Sequence, residues 1–160
     1  MSERPDAVGP ACELIVDYLR SRGRDAEAQP YIDRYREHTQ RAQTRQRERY
    51  KIRTTDTYLP QSLSTESFSK LAHDLARRAE VEAAYVVQKL VPEGEPPLHV
   101  VGVKRRTRMF RLEKGAADSQ LIHTLASEIT LAEDVVYISV NSQQKSFARR
   151  FKKVKGSRIK

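Results

Sequence analysis

The chain has 160 residues, of which 38% are hydrophobic and 32% charged, with 30 Lys and Arg against 21 Asp and Glu. This length fits one ordinary domain, or a small domain with an appended element, and the hydrophobic share argues against a wholly disordered chain. The apolar runs are far shorter than the roughly 20 residues of a membrane helix, the N-terminus lacks the pattern of a signal peptide, and the single cysteine excludes an internal disulfide. We therefore expect a soluble cytoplasmic protein without a membrane-spanning segment.

The first third of the chain predicts a leader and two helices. Residues 1–9 resemble a flexible leader that ends at Gly9 and Pro10, since proline is tolerated in a first helical turn. Apolar residues at helical spacing then continue to Leu19, and Gly23 suits a left-handed C-cap. Asp25 is placed to cap a second helix, beyond which residues 36–53 are a solvated helix or a linker. The pattern predicts a helical hairpin over residues 10–55.

The rest of the chain predicts a linker at residues 56–63 and an α/β domain over residues 64–160. Leu63 and Phe68 bracket Ser64 in the pattern of a hydrophobic staple around an N-cap. We expect helices near 65–79, 116–129 and 144–152, and strands at 81–91, 98–104, 107–112, 135–140 and 157–160. Residues 135–140 are apolar on both faces, as in a central, fully covered strand. The fold class is α+β, an N-terminal helical hairpin followed by a small mixed-sheet α/β sandwich domain.

No residue pattern in the chain matches a catalytic, metal or cofactor motif. The four histidines, at positions 38, 73, 99 and 123, are scattered singly, whereas a helical zinc site needs two of them one turn apart beside a glutamate. The six glycines are isolated, so no loop is expected to cradle a phosphate. Cys12 has no histidine beside it in sequence and is interpreted as a small hydrophobe. We expect no enzyme activity, no cofactor and no metal site.

The basic residues form two clusters that suggest an alternative function. One cluster surrounds the end of the 98–104 strand, and the other lies in the C-terminal tail, where no acidic residue follows Asp134. Such surfaces bind the phosphates of nucleic acid or another anionic surface, although a solvated face with core aromatics beneath it gives the same pattern. The residues assigned to this alternative are Arg105, Arg106, Arg149, Arg150, Lys152 and Lys153.

Several segments of the chain also resemble known proteins. These are residues 17–23 (DYLRSRG), 27–31 (EAQPY), 59–60 (LP), 81–87 (VEAAYVV), 98–103 (LHVVGV) and 147–154 (FARRFKKV). Together they are similar to the non-catalytic C-terminal region of CAAX-endopeptidase-like membrane zinc metallopeptidases, and the strands resemble the C-terminal domain of the enhanced serine sensitivity family. The resemblance implies a tetratricopeptide-like hairpin followed by an α/β domain. It carries no catalysis over, because neither the zinc motif nor membrane helices are present in this sequence.

The leading hypothesis from the sequence is an accessory or regulatory protein-interaction module, and the resemblance implies association with a membrane zinc metallopeptidase. In this hypothesis the hairpin offers its apolar stripe to a helix of another protein or to a second copy of the chain. The residues assigned to that contact are Tyr18, Tyr31 and Tyr35.

Overall fold

The computed structural model describes residues 5–106, 115–141 and 144–160 of the chain. They fall into two compact units, one that ends at Lys51 and one that runs from Ile52 to Lys160. The described part of the first unit is a pair of helices, and that of the second is a four-stranded mixed sheet with helices. The fold is therefore α+β, as the sequence predicts.

The first unit consists of α1, Pro5–Ser21, and α2, Asp25–Tyr50. Gly23 lies between them with a φ of 68°, a left-handed conformation in which glycine carries no steric penalty. The backbone N–H groups of Gly23 and Arg24 donate to the last carbonyls of α1, at N–O distances of 2.9 Å. The turn predicted from Gly23 is thus confirmed.

A thin seam of side chains holds the hairpin together. Val16 and Leu19 of α1 and Ala28 of α2 are buried, and Ile32 packs partly buried against them. Gly9 is also buried, and a Cβ atom at this position would lie 3.7 Å from the ring of His38. This distance is an ordinary van der Waals contact, so Gly9 packs against α2 without a steric need for glycine.

Two predictions for the hairpin were wrong in detail. Helix α1 begins at Pro5, so residues 5–9 of the predicted leader are helical, because proline suits a first helical position and Gly9 fits against α2. Asp25 is the first residue of α2, while the N-cap, Arg24, makes no side-chain capping bond. Of the two alternatives for residues 36–53, the solvated helix is the one observed as far as Tyr50.

The second unit builds a sheet in the order β1–β2–β3–β4. The first three strands are antiparallel neighbours, and β4 runs parallel to β3 after a crossover through α4. Ser64 caps α3 by accepting a hydrogen bond from the Ser67 backbone, as predicted. The elements are β1 Tyr58–Leu59, α3 Thr65–Ala76, β2 Val81–Lys89, β3 Leu98–Arg105, α4 Ala116–Glu128, β4 Asp134–Ser139 and α5 Lys145–Phe151.

Helices cover both faces of the sheet. Val86 of β2 and Val101 of β3 are partners in register and point to the face under α3 and α4, where the larger core lies. Val87 and Val100 point to the opposite face, where Phe151 of α5 completes a second core. Strand alternation therefore sorts the side chains of the sheet between two helical layers.

Gly102 of β3 allows α5 to lie close to the sheet. A Cβ atom at this position would come within 2.7 Å of the Phe151 ring and 3.0 Å of Val140. The Phe151 ring also meets Tyr58 edge to face, with 4.9 Å between the ring centroids. The glycine therefore serves packing, as its position inside a strand suggested.

The outer edges of the sheet differ from the sequence prediction. Within the described residues β4 pairs with β3 alone, so residues 135–140 do not form the predicted central strand. This strand is apolar on both faces because helices cover both faces of the sheet. The predicted linker at 56–63 contains β1, which pairs with β2. Residues 157–160 extend along the same side of β2, where the Val86 N–H donates to the Ser157 carbonyl at 2.7 Å. The strand predicted at 107–112 lies outside the described residues.

Candidate functional site

The hairpin exposes large apolar side chains on α1. Leu14 is 71% exposed and Tyr18, one turn later, is 55% exposed, with Ile15 beside them. The helical spacing in the sequence groups these residues with Leu19 in one apolar stripe, whereas the structure turns Leu19 toward α2 together with Val16. The spacing of Cys12, Val16 and Leu19, at i, i+4 and i+7, is the signal that identifies the true inner face.

Helix α2 adds two tyrosines to the same flank of the hairpin. Tyr31 and Tyr35 are one turn apart and exposed, while Ala28 and Ile32 face α1. At about 100° per residue, the antiparallel arrangement of α1 and α2 places these tyrosines on the side of the hairpin that carries Tyr18. The structure leaves the three tyrosines predicted from sequence exposed, and Leu14 and Ile15 of α1 are exposed as well. We call the set the tyrosine face: Leu14, Ile15, Tyr18, Tyr31 and Tyr35.

Charges on the hairpin are neutralised locally. Ion pairs at helical spacing join Arg24 to Glu27, Arg36 to Asp33, Arg41 to Glu37 and Lys51 to Glu48. The hydrogen bond from Arg24 lowers the pKa of the Glu27 carboxyl, against a small opposing effect of burial. The exposed surface of the hairpin therefore carries paired charges of both signs.

The two arginines at the end of β3 have different environments. Arg105 points toward α4, where its Nε lies 2.6 Å from Asp118 Oδ1 in a largely buried ion pair. Burial opposes the charge on Asp118, but hydrogen bonds from Arg105 and from the Ser139 hydroxyl lower the pKa of its carboxyl. Arg106 is exposed. Arg105 therefore stabilises the fold, and Arg106 remains on the surface.

The basic residues of α5 lie on the other face of the sheet. Arg149, Lys152 and Lys153 are exposed, whereas Arg150 donates from Nη2 to the Asp56 carbonyl at 3.0 Å. Because α5 packs on the face opposite to α4, the structure does not bring Arg105 together with these cations. Arg105 points to the face that carries α4 because successive side chains of β3 point to opposite faces of the sheet.

The structure also reveals a hydroxyl–imidazole pair that the sequence did not suggest. Ser62 Oγ lies 3.1 Å from His99 Nε2 and 2.7 Å from Gln88 Oε1. The hydroxyl has one hydrogen and donates it to Gln88, while the imidazole accepts from the Ser62 backbone N–H at 3.3 Å. Burial lowers the pKa of His99, against the Asp134 backbone and nearby carboxylates. This arrangement attaches the segment before α3 to the sheet and does not activate the hydroxyl as a nucleophile.

A groove of about 470 Å³ runs along β4 between α4 and α5. It is open at the surface, and Ile122, Ile138 and Phe147 form much of its apolar lining. Ser119 and His123 of α4 contribute polar groups to its wall. In the described ranges, no group of three or more His, Cys, Asp or Glu residues is arranged to hold a metal ion.

Comparison with protein-family models, with curated proteins and with solved structures gives no match for this chain. The resemblance to CAAX-endopeptidase-like metallopeptidases therefore stays a prediction. In residues 5–106, 115–141 and 144–160, none of the helices combines the length and the apolar character that crossing a bilayer demands.

Proposed function

We propose that this chain is a non-catalytic protein-interaction module whose hairpin pairs with the hairpin of a second copy. The observation that supports this proposal is the tyrosine face, where Leu14 and Tyr18 are more than half exposed beside two further tyrosines. Tyrosine supplies a large contact area and loses little side-chain entropy on binding. Two further helices, such as those of a second hairpin, could pack on a face of this kind.

The thin seam of the hairpin gives a reason for that pairing. Four buried side chains, including Cys12, and one partly buried side chain form its core, while five large side chains on the tyrosine face remain in contact with water. Burying apolar surface contributes roughly 25 cal/mol per Å². Pairing through the tyrosine face therefore stabilises each hairpin as well as joining two copies.

The charge distribution favours a second copy as the partner. Helix α1 has three acidic residues and one basic residue, while α2 has five acidic and six basic residues. A twofold arrangement sets the same patch of both copies together and permits α1 of one copy to lie across α2 of the other. Such a contact sets the acidic helix α1 of one copy against the more basic helix α2 of the other, so the net charges of the two helices attract each other.

Light scattering during size exclusion tests the proposal directly. The chain is expected to elute as a dimer at micromolar concentration, and Tyr18→Glu is expected to convert it to a monomer, since a buried unpaired carboxylate is costly. Gln40→Glu is the matched control, because it adds the same charge to an exposed position away from the tyrosine face. A monomeric wild-type chain at these concentrations, or equal dissociation by both variants, would contradict the proposal.

The metallopeptidase association is a separate proposal that depends on the sequence resemblance. Its physical support is limited to the hairpin, which is suited to pack at the end of a helical array. If the wild-type chain is a monomer but binds a purified metallopeptidase helical region, the partner is the array and the second-copy proposal is wrong.

A further inference from the structure

The positive charge of the chain is concentrated at its C-terminal end. Residues 135–160 contain eight Lys and Arg and no Asp or Glu, while residues 1–134 contain 22 basic and 21 acidic residues. Nearly all of the net charge of +9 therefore comes from these 26 residues. This segment includes α5 and the strand-like end of the chain.

The cations on the outer side of α5 have no acidic partner in the described residues. Helical geometry places Phe147 and Phe151 inward and four cations outward, and these four are exposed. No ion pair within the described ranges involves any of them, in contrast to the paired arginines of the hairpin. We call this set the α5 cationic face: Lys145, Arg149, Lys152 and Lys153.

The α5 cationic face continues onto the end of the chain. Lys152 Nζ lies 6.0 Å from the centroid of the Tyr85 ring, and Arg158 is the antiparallel bridge partner of Tyr85. Paired residues in a bridge point to the same face of a sheet, so Arg158 lies on the side of α5. Lys152 and Lys153 follow directly after α5, and within α5 Lys145 and Arg149 are about 6 Å apart at 1.5 Å per residue.

The side chains around these cations select among anionic partners. Stacking of single-stranded bases needs exposed aromatic rings, but Phe151 and Tyr85 are buried and Phe147 is partly buried beneath α5. Insertion into a membrane surface needs exposed apolar residues, and α5 contributes none of the large exposed hydrophobic side chains of the described residues. We propose that the α5 cationic face, with Arg158, binds the phosphate backbone of duplex nucleic acid without reading its sequence.

Salt dependence is the sharpest test of this binding. Each phosphate contact contributes about −0.9 to the slope of log K against log salt, so four contacts predict about a 100-fold weakening from 50 to 200 mM salt. Fluorescence anisotropy of labelled 20-base-pair DNA and RNA duplexes of mixed sequence measures this slope in the full-length chain. The double variant Lys152→Gln, Lys153→Gln is expected to weaken binding and to reduce the slope by about two.

Two controls separate this site from general positive charge. The double variant Arg36→Gln, Arg41→Gln removes the same charge from paired positions on the hairpin and is expected to leave duplex binding unchanged. Tyr18→Glu, which targets the hairpin contact, is expected to keep the salt slope of the wild type. Circular dichroism of each variant verifies that the fold is intact.

Three outcomes would overturn the proposal. The first is an absence of duplex binding at 50 mM salt. The second is an equal loss of affinity in the α5 and hairpin variants, which indicates diffuse attraction to net charge. The third is capture by vesicles of anionic phosphatidylserine without binding to either duplex, which assigns the phosphate chemistry to a membrane surface.

Discussion

The hairpin and the C-terminal region both contain many cations but use them in opposite ways. On the hairpin, arginines pair with acids three or four residues away, as Arg41 does with Glu37. On and just after α5, Arg149, Lys152 and Lys153 are exposed and form no ion pair with any residue in the described part of the chain. Composition alone cannot separate these cases, because the difference lies in where the acidic residues are. A surface that binds polyanions is therefore better identified by cations without acidic neighbours than by the number of cations.

The cores of the two units differ as strongly as their surfaces. The hairpin has one thin seam of small and medium-sized buried side chains, whereas the sheet has a packed core on each face. We therefore expect the α/β unit to be stable by itself and the hairpin to depend more on further packing. Four variants test this comparison, from the largest expected effect to the smallest.

Phe151→Ala should have the largest effect. The ring is fully buried over Gly102 and against Tyr58, so its removal leaves a cavity and is expected to cost about 3–5 kcal/mol. Urea denaturation followed by circular dichroism measures the loss in the α/β unit. Hydrogen exchange should show that amides of α1 and α2 keep their protection, and a similar loss of protection in both units would break the comparison.

Leu19→Ala tests the thin seam of the hairpin. Leu19 is buried in a small cluster with Val16 and Ala28, and its truncation should cost about 2 kcal/mol, at the low end for leucine because the site can relax. The expected result is faster hydrogen exchange in α1 and α2 with unchanged exchange in β2 and β3. Leu14→Ala is the control: it removes the same atoms from an exposed position and should have little effect on the isolated copy.

Glu133→Gln compares two carboxylates under acid conditions. The nearby Ser67 hydroxyl, the Ser64 backbone N–H, which donates to Glu133 Oε1 at 2.9 Å, and the Ser64 hydroxyl lower the pKa of Glu133 to about 2. Because the folded pKa is below the unfolded value, near 4.3, the stability from this group is present above that value and is lost as the pH falls toward 2.

The expected result is a melting temperature that falls less between pH 5 and pH 2.5 in Glu133→Gln than in the wild type. Glu27→Gln in the hairpin provides the contrast. Its carboxyl also has a lowered pKa, but the partner Arg24 is exposed, so added salt should weaken that dependence and leave that of Glu133 nearly unchanged. Equal salt sensitivity at both sites would contradict this distinction.

Arg36→Gln, Arg41→Gln should have the smallest effect on stability. Exposed ion pairs at helical spacing contribute little, so the double variant is expected to lower the unfolding free energy by less than about 1 kcal/mol. Thermal unfolding at low and moderate salt measures the difference. A larger loss would show that surface pairing, and not the apolar seam, holds the hairpin.

Most elements of the fold could be predicted because their signals are local. Gly23 predicted the hairpin turn, and Ser64 predicted the start of α3, since capping and left-handed turns depend on a few neighbouring residues. The strands β2 and β3 were recognised from β-branched residues, with the end of β2 placed two residues too far. The extent of α2 depended on a choice between helix and linker that its polar composition left open.

The remaining features depend on contacts between distant residues. An apolar strand such as β4 has the same sequence pattern whether strands lie on both sides or helices cover both faces. The tyrosines Tyr18, Tyr31 and Tyr35 were recognised, but the inner and outer sides of α1 were merged. Arg105 of β3 pairs with Asp118 of α4, a contact that sequence patterns do not reveal. Arg105 is therefore partly buried, whereas its neighbour Arg106 is exposed.

Gly102 and Phe151 are 49 positions apart in sequence but pack directly against each other. Because the ring occupies the space of the missing side chain, any enlargement at position 102 requires a smaller residue at position 151. Related sequences should therefore show correlated substitution at these two positions, with alanine or serine at 102 accompanied by leucine or valine at 151. Such covariation would show that the packing of α5 against β3 is retained among relatives that have this fold.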